Sequence, residues 1–177
     1  WVGGPADLVV ALVTLGLLAP LLPLVFAPPT DTDELFWQLA VPAWILQEHS
    51  LPGGWLQPVA SRPLPVQLLW TGLLAAGGEL APRTAHLLAT GAFAAGLYGV
   101  GRRVAGPWPA AIGALLALGN WTVLDEAPLA HDNIPAALAV LAALDAALAG
   151  RPWRWALASG AAMAIKYTTA PAVVAVG

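Results

Sequence analysis

Long apolar runs, most of them about as long as a bilayer is thick, constrain this chain more than any other feature. A helix that crosses the hydrocarbon core needs about 20 mostly apolar residues. Runs of this kind cover residues 8–27, 84–104, 107–124, 133–150 and 155–177. Only 10% of the 177 residues are charged, whereas a soluble domain carries about 25%. The sequence therefore predicts an integral membrane protein and argues against a soluble enzyme or a nucleic-acid-binding protein.

The arginines indicate which way these runs cross the membrane. Residues 64–76 are apolar but too short to span, which predicts a re-entrant or interfacial helix. In the predicted layout, Arg102, Arg103, Arg151 and Arg154 all lie on one face. The positive-inside rule makes that face cytoplasmic.

A second non-spanning helix is predicted over residues 33–49, where apolar side chains recur at helical spacing. Such a segment suits a helix lying in the membrane interface. The expected fold is an all-α, polytopic transmembrane helix bundle with this interfacial amphipathic helix in its first extracytoplasmic loop. Residues 1–177 are expected to form the N-terminal part of a larger transmembrane domain.

Most of the acidic residues fall on the opposite, extracytoplasmic side in this layout. Eight of the ten lie in two connections, residues 28–83 and 125–132, which we call the first and second acidic loops: Asp31, Asp33, Glu34, Glu48, Glu79, Asp125, Glu126 and Asp132. Acidic side chains hardly influence topology, so the clustering needs another explanation. Converging carboxylates can hold a hard divalent cation or act as a general base beside a phosphate-bearing substrate. They can equally cap helices or remain solvated loop charges, and the sequence leaves these alternatives open.

Three basic or titratable side chains are further candidates. His131 precedes Asp132 and is a candidate metal ligand or acid–base partner, or a loop hydrogen-bonding group. Lys166 lies inside the fifth apolar run, where an ammonium is costly unless it is paired or hydrated. It either binds an anion such as a lipid-linked phosphate or snorkels to the interface. Arg62 is a second candidate for contact with a phosphate or a lipid headgroup.

The segment DELFWQLAVPAWILQEH, residues 33–49, resembles the first-loop signature of bacterial GT-C glycosyltransferases. Relatives in that superfamily read D-x-L-x-Y-H-L-x-x-P and continue into an amphipathic helix. Trp37-Gln38 stands here in place of Tyr-His, so any role of that histidine is lost.

Later motifs follow in the order of the same superfamily. They are Gly101-Arg102-Arg103 before the third run, Ala130-His131-Asp132 in the second loop, and Ala164-Ile165-Lys166-Tyr167-Thr168 in the fifth run. The last is similar to the segment G-x-x-x-G-x-K-Y-T, with Ala164 in place of the second glycine. The resemblance covers most of the chain, and it depends on the order and spacing of short motifs.

The resemblance implies an enzyme like the protein O-mannosyltransferases and the aminoarabinose transferases of lipid A. Such enzymes move a sugar from a polyprenyl-phosphate donor to a lipid, glycan or protein acceptor at the extracytoplasmic face of the bacterial plasma membrane. The implied catalytic residues are Asp33 and Asp132. The expected substrate-binding residues are Glu34, Arg62, Lys166 and Tyr167. A divalent metal ion, if present, is expected at Asp33, Glu126, His131 and Asp132.

Two other classes compete with this hypothesis. A polytopic transporter or lipid flippase could use Lys166 and the acidic loops as a substrate or ion path. Transporters usually bind near the bilayer midplane, on broken helices of repeated halves, and no repeat is visible in the sequence. A non-catalytic scaffold with solvated loop charges is the third hypothesis.

Overall fold

A computed structural model of the protein describes residues 3–51 and 65–176, and all regular structure in these ranges is helical. The all-α prediction is therefore confirmed for the described residues. The helices are α1 (Pro5–Leu18), α2 (Leu22–Val25), α3 (Ala40–Glu48), α4 (Pro65–Gly77), α5 (Leu80–Ala105), α6 (Pro107–Leu118), α7 (Trp121–Glu126), α8 (Asn133–Leu148), α9 (Pro152–Ile165) and α10 (Ala170–Val176). Short turns complete them: 3₁₀ turns over Ala19–Leu21 and Tyr167–Thr169, and a π-helical turn over Glu34–Gln38.

Helix length and composition support one membrane span among the described residues. The stretch Pro5–Val25, which is α1 continued through α2, is long and apolar enough to cross a bilayer. Helices α6 and α8 are apolar but have 12 and 16 residues. At 1.5 Å per residue they reach about 18 and 24 Å, short of a hydrocarbon core of about 30 Å. The other four expected spans are thus not established by this criterion.

Two of the expected helices are interrupted for reasons visible in the sequence. The helix expected over 107–124 ends at Leu118, and α7 begins after Asn120, whose side-chain oxygen accepts the Thr122 N–H at 3.0 Å. This bond caps the new helix and favours a restart. The helix expected over 33–49 is divided at Leu39. Pro42 lacks the N–H that would bond the carbonyl four residues earlier, and its ring crowds that carbonyl.

The helix expected over 155–177 is also interrupted, at Lys166. Helix α9 stops at Ile165, and Lys166 has an extended backbone with φ −151° and ψ 111°. The Thr169 hydroxyl donates to the Lys166 carbonyl oxygen at 2.8 Å, a local bond that competes with helical hydrogen bonding. The end of α10 then lies beside Gly150 and Arg151, at the start of α9.

Helix α5 is the central element of the packing, with α1, α4, α6 and α8 against it, while α9 packs on α8. A Cβ atom added at Gly96 of α5 would lie 2.7 Å from Leu141 Cδ2 of α8. Glycine therefore allows these two helices to approach closely, as small residues do at transmembrane helix interfaces. A buried apolar cluster lies against the acidic loops and contains Leu39, Val66, Trp70 and Ala130.

Polar contacts occur at both ends of α5. Arg83 marks one end and Arg103 the other, and 20 residues of helix place them about 30 Å apart. At the C-terminal end of α5, Arg102 Nη1 lies 3.2 Å from Asp7 Oδ1 of α1. Arg103 Nη1 lies 2.7 Å from Asp145 Oδ1, near the end of α8. We call this the arginine end. The acidic loops lie at the other, which we call the carboxylate end.

Candidate functional site

A buried ion pair anchors the carboxylate end. Arg83 Nε lies 3.1 Å from Glu34 Oε1, and the two side chains are 4% and 0% exposed. The backbone N–H of Ala130 donates to the same carboxylate oxygen at 2.8 Å. The pair therefore connects the first acidic loop to the second through the beginning of α5.

The Arg83 guanidinium also caps the C-terminal end of the membrane-length stretch Pro5–Val25. It donates to the backbone carbonyl oxygens of Leu24, Val25, Ala27 and Pro128. The last carbonyl groups of a helix have no partner within it, and a cation is favourable there because of the helix dipole. Arg83 thus holds the end of α2, the Glu34 turn and the second loop in one arrangement.

A second contact joins the two acidic loops directly. Asp31 Oδ1 accepts the Glu34 N–H at 2.8 Å and lies 3.0 Å from His131 Nε2. Partial burial alone would raise the pKa of the Asp31 carboxyl group. The pKa is nevertheless lowered, because the Glu34 N–H and His131 both stabilise the carboxylate. Asp33 and Asp132 each lie within two residues of this contact, so their segments lie at the same end of the bundle.

Lys166 belongs to a polar chain at the break between α9 and α10. Its Nζ lies 3.1 Å from Asp132 Oδ1 and donates to Asn133 Oδ1. The Asn133 amide in turn donates to both carboxylate oxygens of Glu126 at 2.9 Å. The Lys166 side chain is 34% exposed and that of Asp132 is 21% exposed. A partly exposed ammonium with two oxygen partners retains capacity for a third, since it carries three N–H donors.

The predicted site residues differ in how they are placed. Asp33 is exposed at the start of the first acidic loop, and Tyr167 is 70% exposed beside Lys166. Glu34 differs from its expected role as a substrate contact, because its side chain is fully buried against Arg83. Arg62 lies outside the described residues.

The expected metal ligands are not gathered at one point. Within residues 3–51 and 65–176, no three His, Asp or Glu side chains form a group that could hold a metal ion. Glu126 is bonded to Asn133, His131 to Asp31, and Asp132 to Lys166. Three of the four expected ligands are thus hydrogen-bonded to protein side chains in this structure.

Three side chains at this end were not predicted as site residues: Arg83, His86 and Asn133. Asp31 was predicted only as one of the clustered carboxylates. His86 is fully buried, with Nδ1 3.3 Å from the Ala127 carbonyl oxygen and its ring 6.4 Å from those of Trp70 and His131. Arg83 and His86 are three residues apart at the start of an apolar run. That spacing puts both on one helix face, and polar side chains there indicate buried partners.

Comparison of the chain with protein-family models, curated proteins and solved structures found no match. The side-chain arrangement at the carboxylate end is therefore the basis for a functional proposal.

Proposed function

We propose that the protein is a polytopic membrane enzyme that transfers a sugar from a polyprenyl-phosphate donor to an acceptor at the extracytoplasmic face. The observation that carries the proposal is the contact between Lys166 and Asp132 at a helix break, beside the Asp31–His131 pair. A partly exposed cation among carboxylates suits a substrate that combines a phosphate with hydroxyl groups. The acceptor is a lipid, a glycan or a protein.

Location in a membrane is supported by the distribution of polar and apolar side chains, and the bacterial plasma membrane is what the family resemblance implies. The polar contacts at Arg83 and Arg103 are about 30 Å apart along α5, which matches the hydrocarbon thickness. Between them, large apolar side chains on several helices are more than half exposed: Leu12, Leu15, Leu88, Ile112, Leu116 and Leu157. An apolar surface of this extent suits contact with lipid. In this proposal the arginine end faces the cytoplasm.

The proposed reaction is an inverting displacement. The acceptor oxygen attacks the anomeric carbon, the bond from that carbon to the lipid phosphate breaks, and the phosphate leaves with the electron pair. Exposed Asp33 takes the proton of the acceptor hydroxyl as general base. Lys166 offsets the charge that develops on the departing phosphate, and Asp132 orients Lys166. Tyr167 and Arg62 stay predicted substrate contacts.

Transfer can be measured in membrane vesicles that contain the full-length protein, with labelled polyprenyl-phosphate mannose and polyprenyl-phosphate aminoarabinose as donors. Asp33→Asn, Asp132→Asn and Lys166→Met should each lower the rate by about 10²-fold or more, the usual loss for a general base or a charge-stabilising group. Asp125→Asn is the matched control, because Asp125 is an exposed carboxylate on α7, seven residues before Asp132. Full transfer by Asp132→Asn, with normal membrane insertion, would contradict the proposal.

A divalent metal ion stays a prediction for the substrate-bound state, and no step of the proposed reaction depends on it. Transfer measured with and without EDTA tests this separately. Loss of transfer with EDTA and recovery with Mg²⁺ is the result expected of a metal-dependent site, and unchanged transfer contradicts it.

A transporter or flippase is the second candidate, and the extended backbone at Lys166 favours it. Interrupted helices, whose half-helix ends and unwound backbone face the substrate or ion, form the binding sites of many transporters. Purified protein in liposomes distinguishes the two classes. Movement of a labelled lipid-linked sugar across the bilayer without transfer, lost in Lys166→Met, favours transport over glycosyl transfer.

A further inference from the structure

A groove between α1 and α5 opens at the arginine end, away from the candidate site. Its apolar part has a volume of about 490 Å³. A neighbouring cavity of about 580 Å³ forms its mouth. The two share Asp7, Tyr98 and Arg102. The groove therefore passes from a charged mouth to an apolar interior.

The interior of the groove exists because α5 carries small residues at every fourth position. Gly91, Ala95 and Gly99 form one wall, and Val10 and Leu15 of α1 lie opposite. A Cβ atom at Gly99 would meet no atom within 4 Å. Eight residues of helix from Gly91 to Gly99 give the groove a length of about 12 Å. A narrow apolar channel of this kind fits a hydrocarbon chain.

The mouth favours an anionic headgroup. The Asp7 carboxylate already accepts from the backbone N–H groups of Gly3 and Gly4, from the Tyr98 hydroxyl and from Arg102. It is therefore saturated and has little capacity for a lipid ammonium group. An arginine has five N–H donors in a fork that matches phosphate oxygens.

The charge of the whole arginine end points the same way. Four arginines lie in its helix ends and its α8–α9 turn, against two carboxylates, Asp7 and Asp145. The excess of two positive charges comes from the arginines at the α8–α9 turn, because the two on α5 are each paired with a carboxylate. Trp108, at the mouth, is 52% exposed, and tryptophan is enriched at the level of lipid headgroups.

We infer that this groove binds one anionic phospholipid of the cytoplasmic leaflet, with its phosphate at Arg102 and an acyl chain between α1 and α5. The inference uses the membrane location in the proposed function but not the glycosyl transfer. Basic pockets between helices on the cytoplasmic side are a common mode of anionic lipid recognition. The lipid would fill the groove and add contacts between α1 and α5.

Native mass spectrometry of the full chain, purified in mild detergent with palmitoyl-oleoyl phosphatidylglycerol or phosphatidylcholine, tests the inference. The wild type should retain one phosphatidylglycerol in preference to phosphatidylcholine. Gly99→Leu fills the groove from α5, and Ala11→Leu narrows it from α1. Gly113→Leu is the control, because Gly113 also has open space around it but lies on α6, outside the groove.

We expect Gly99→Leu and Ala11→Leu to lower phosphatidylglycerol retention about tenfold, the equivalent of 1.4 kcal/mol, and Gly113→Leu to retain it. Arg102→Gln should remove the preference over phosphatidylcholine. The inference is overturned if both groove variants fold and retain the lipid like the wild type, or if the two lipids bind equally. It is also overturned if the mass spectrum shows a second polypeptide bound in place of the lipid. Asp132→Asn should still retain lipid, so loss of transfer in that variant bears on the proposed function alone.

Discussion

Replacement of Arg83 by methionine is expected to destabilise the protein more than any other single charge removal at the carboxylate end. The variant leaves the fully buried Glu34 carboxylate without its ion-pair partner. Breaking a buried pair in this way costs about 3–5 kcal/mol. It also removes the donor for four backbone carbonyl groups. We therefore expect a loss of at least about 4 kcal/mol in the free energy of unfolding, within the range for a broken buried pair.

Unfolding of the purified protein by SDS in mixed micelles measures this loss. The double variant Arg83→Met/Glu34→Gln should recover part of this loss, because it contains no buried charge. The recovery is incomplete, since each carbonyl group left buried and unpaired still costs about 1–3 kcal/mol. Arg103→Gln serves as the control, since the Arg103–Asp145 pair is 52% and 40% exposed. Such a surface pair contributes about 0–1 kcal/mol. If Arg83→Met and Arg103→Gln lose equal stability, the reasoning from burial is refuted.

The remaining predictions concern local contacts. Gly96→Ala should destabilise the α5–α8 interface by at most about 1 kcal/mol, the low end of the cost of overpacking, because the new methyl group displaces only the end of the Leu141 side chain. Gly113→Ala, in open space, should be neutral or stabilising in the same SDS titration. The lowered pKa of Asp31 means that its stabilising contribution is present above about pH 5 and disappears as the pH falls through the folded-state pKa, below 3.8. Asp31→Asn should therefore unfold with a weaker acid dependence than the wild type, as should a variant without His131. Asn120→Ala should cost about 1 kcal/mol through loss of the α7 cap, and an unchanged unfolding midpoint would contradict the assigned cap.

Helix type and several helix positions could be predicted from the sequence, because they depend on local patterns. The apolar run over 64–76 is helix α4 over Pro65–Gly77, and the run over 133–150 is α8 over Asn133–Leu148. A low content of charged residues and apolar runs of bilayer length can be recognised in the sequence without knowing which elements pack together. The interruptions at Leu39 and Lys166 were missed, because mean hydropathy is insensitive to one missing N–H or one threonine–backbone bond.

The sequence by itself determined that the chain is helical, apolar and acidic in two connections. Only the tertiary structure decided which polar side chains are partners. Glu34 and Ala130 are 96 residues apart in the chain, and Asp31 and His131 are 100 apart. Such contacts follow from how helices pack, and packing decides which carboxylate is buried with a cation and which stays exposed. For that reason Glu34, which the sequence predicted as a substrate contact, forms a buried ion pair with Arg83.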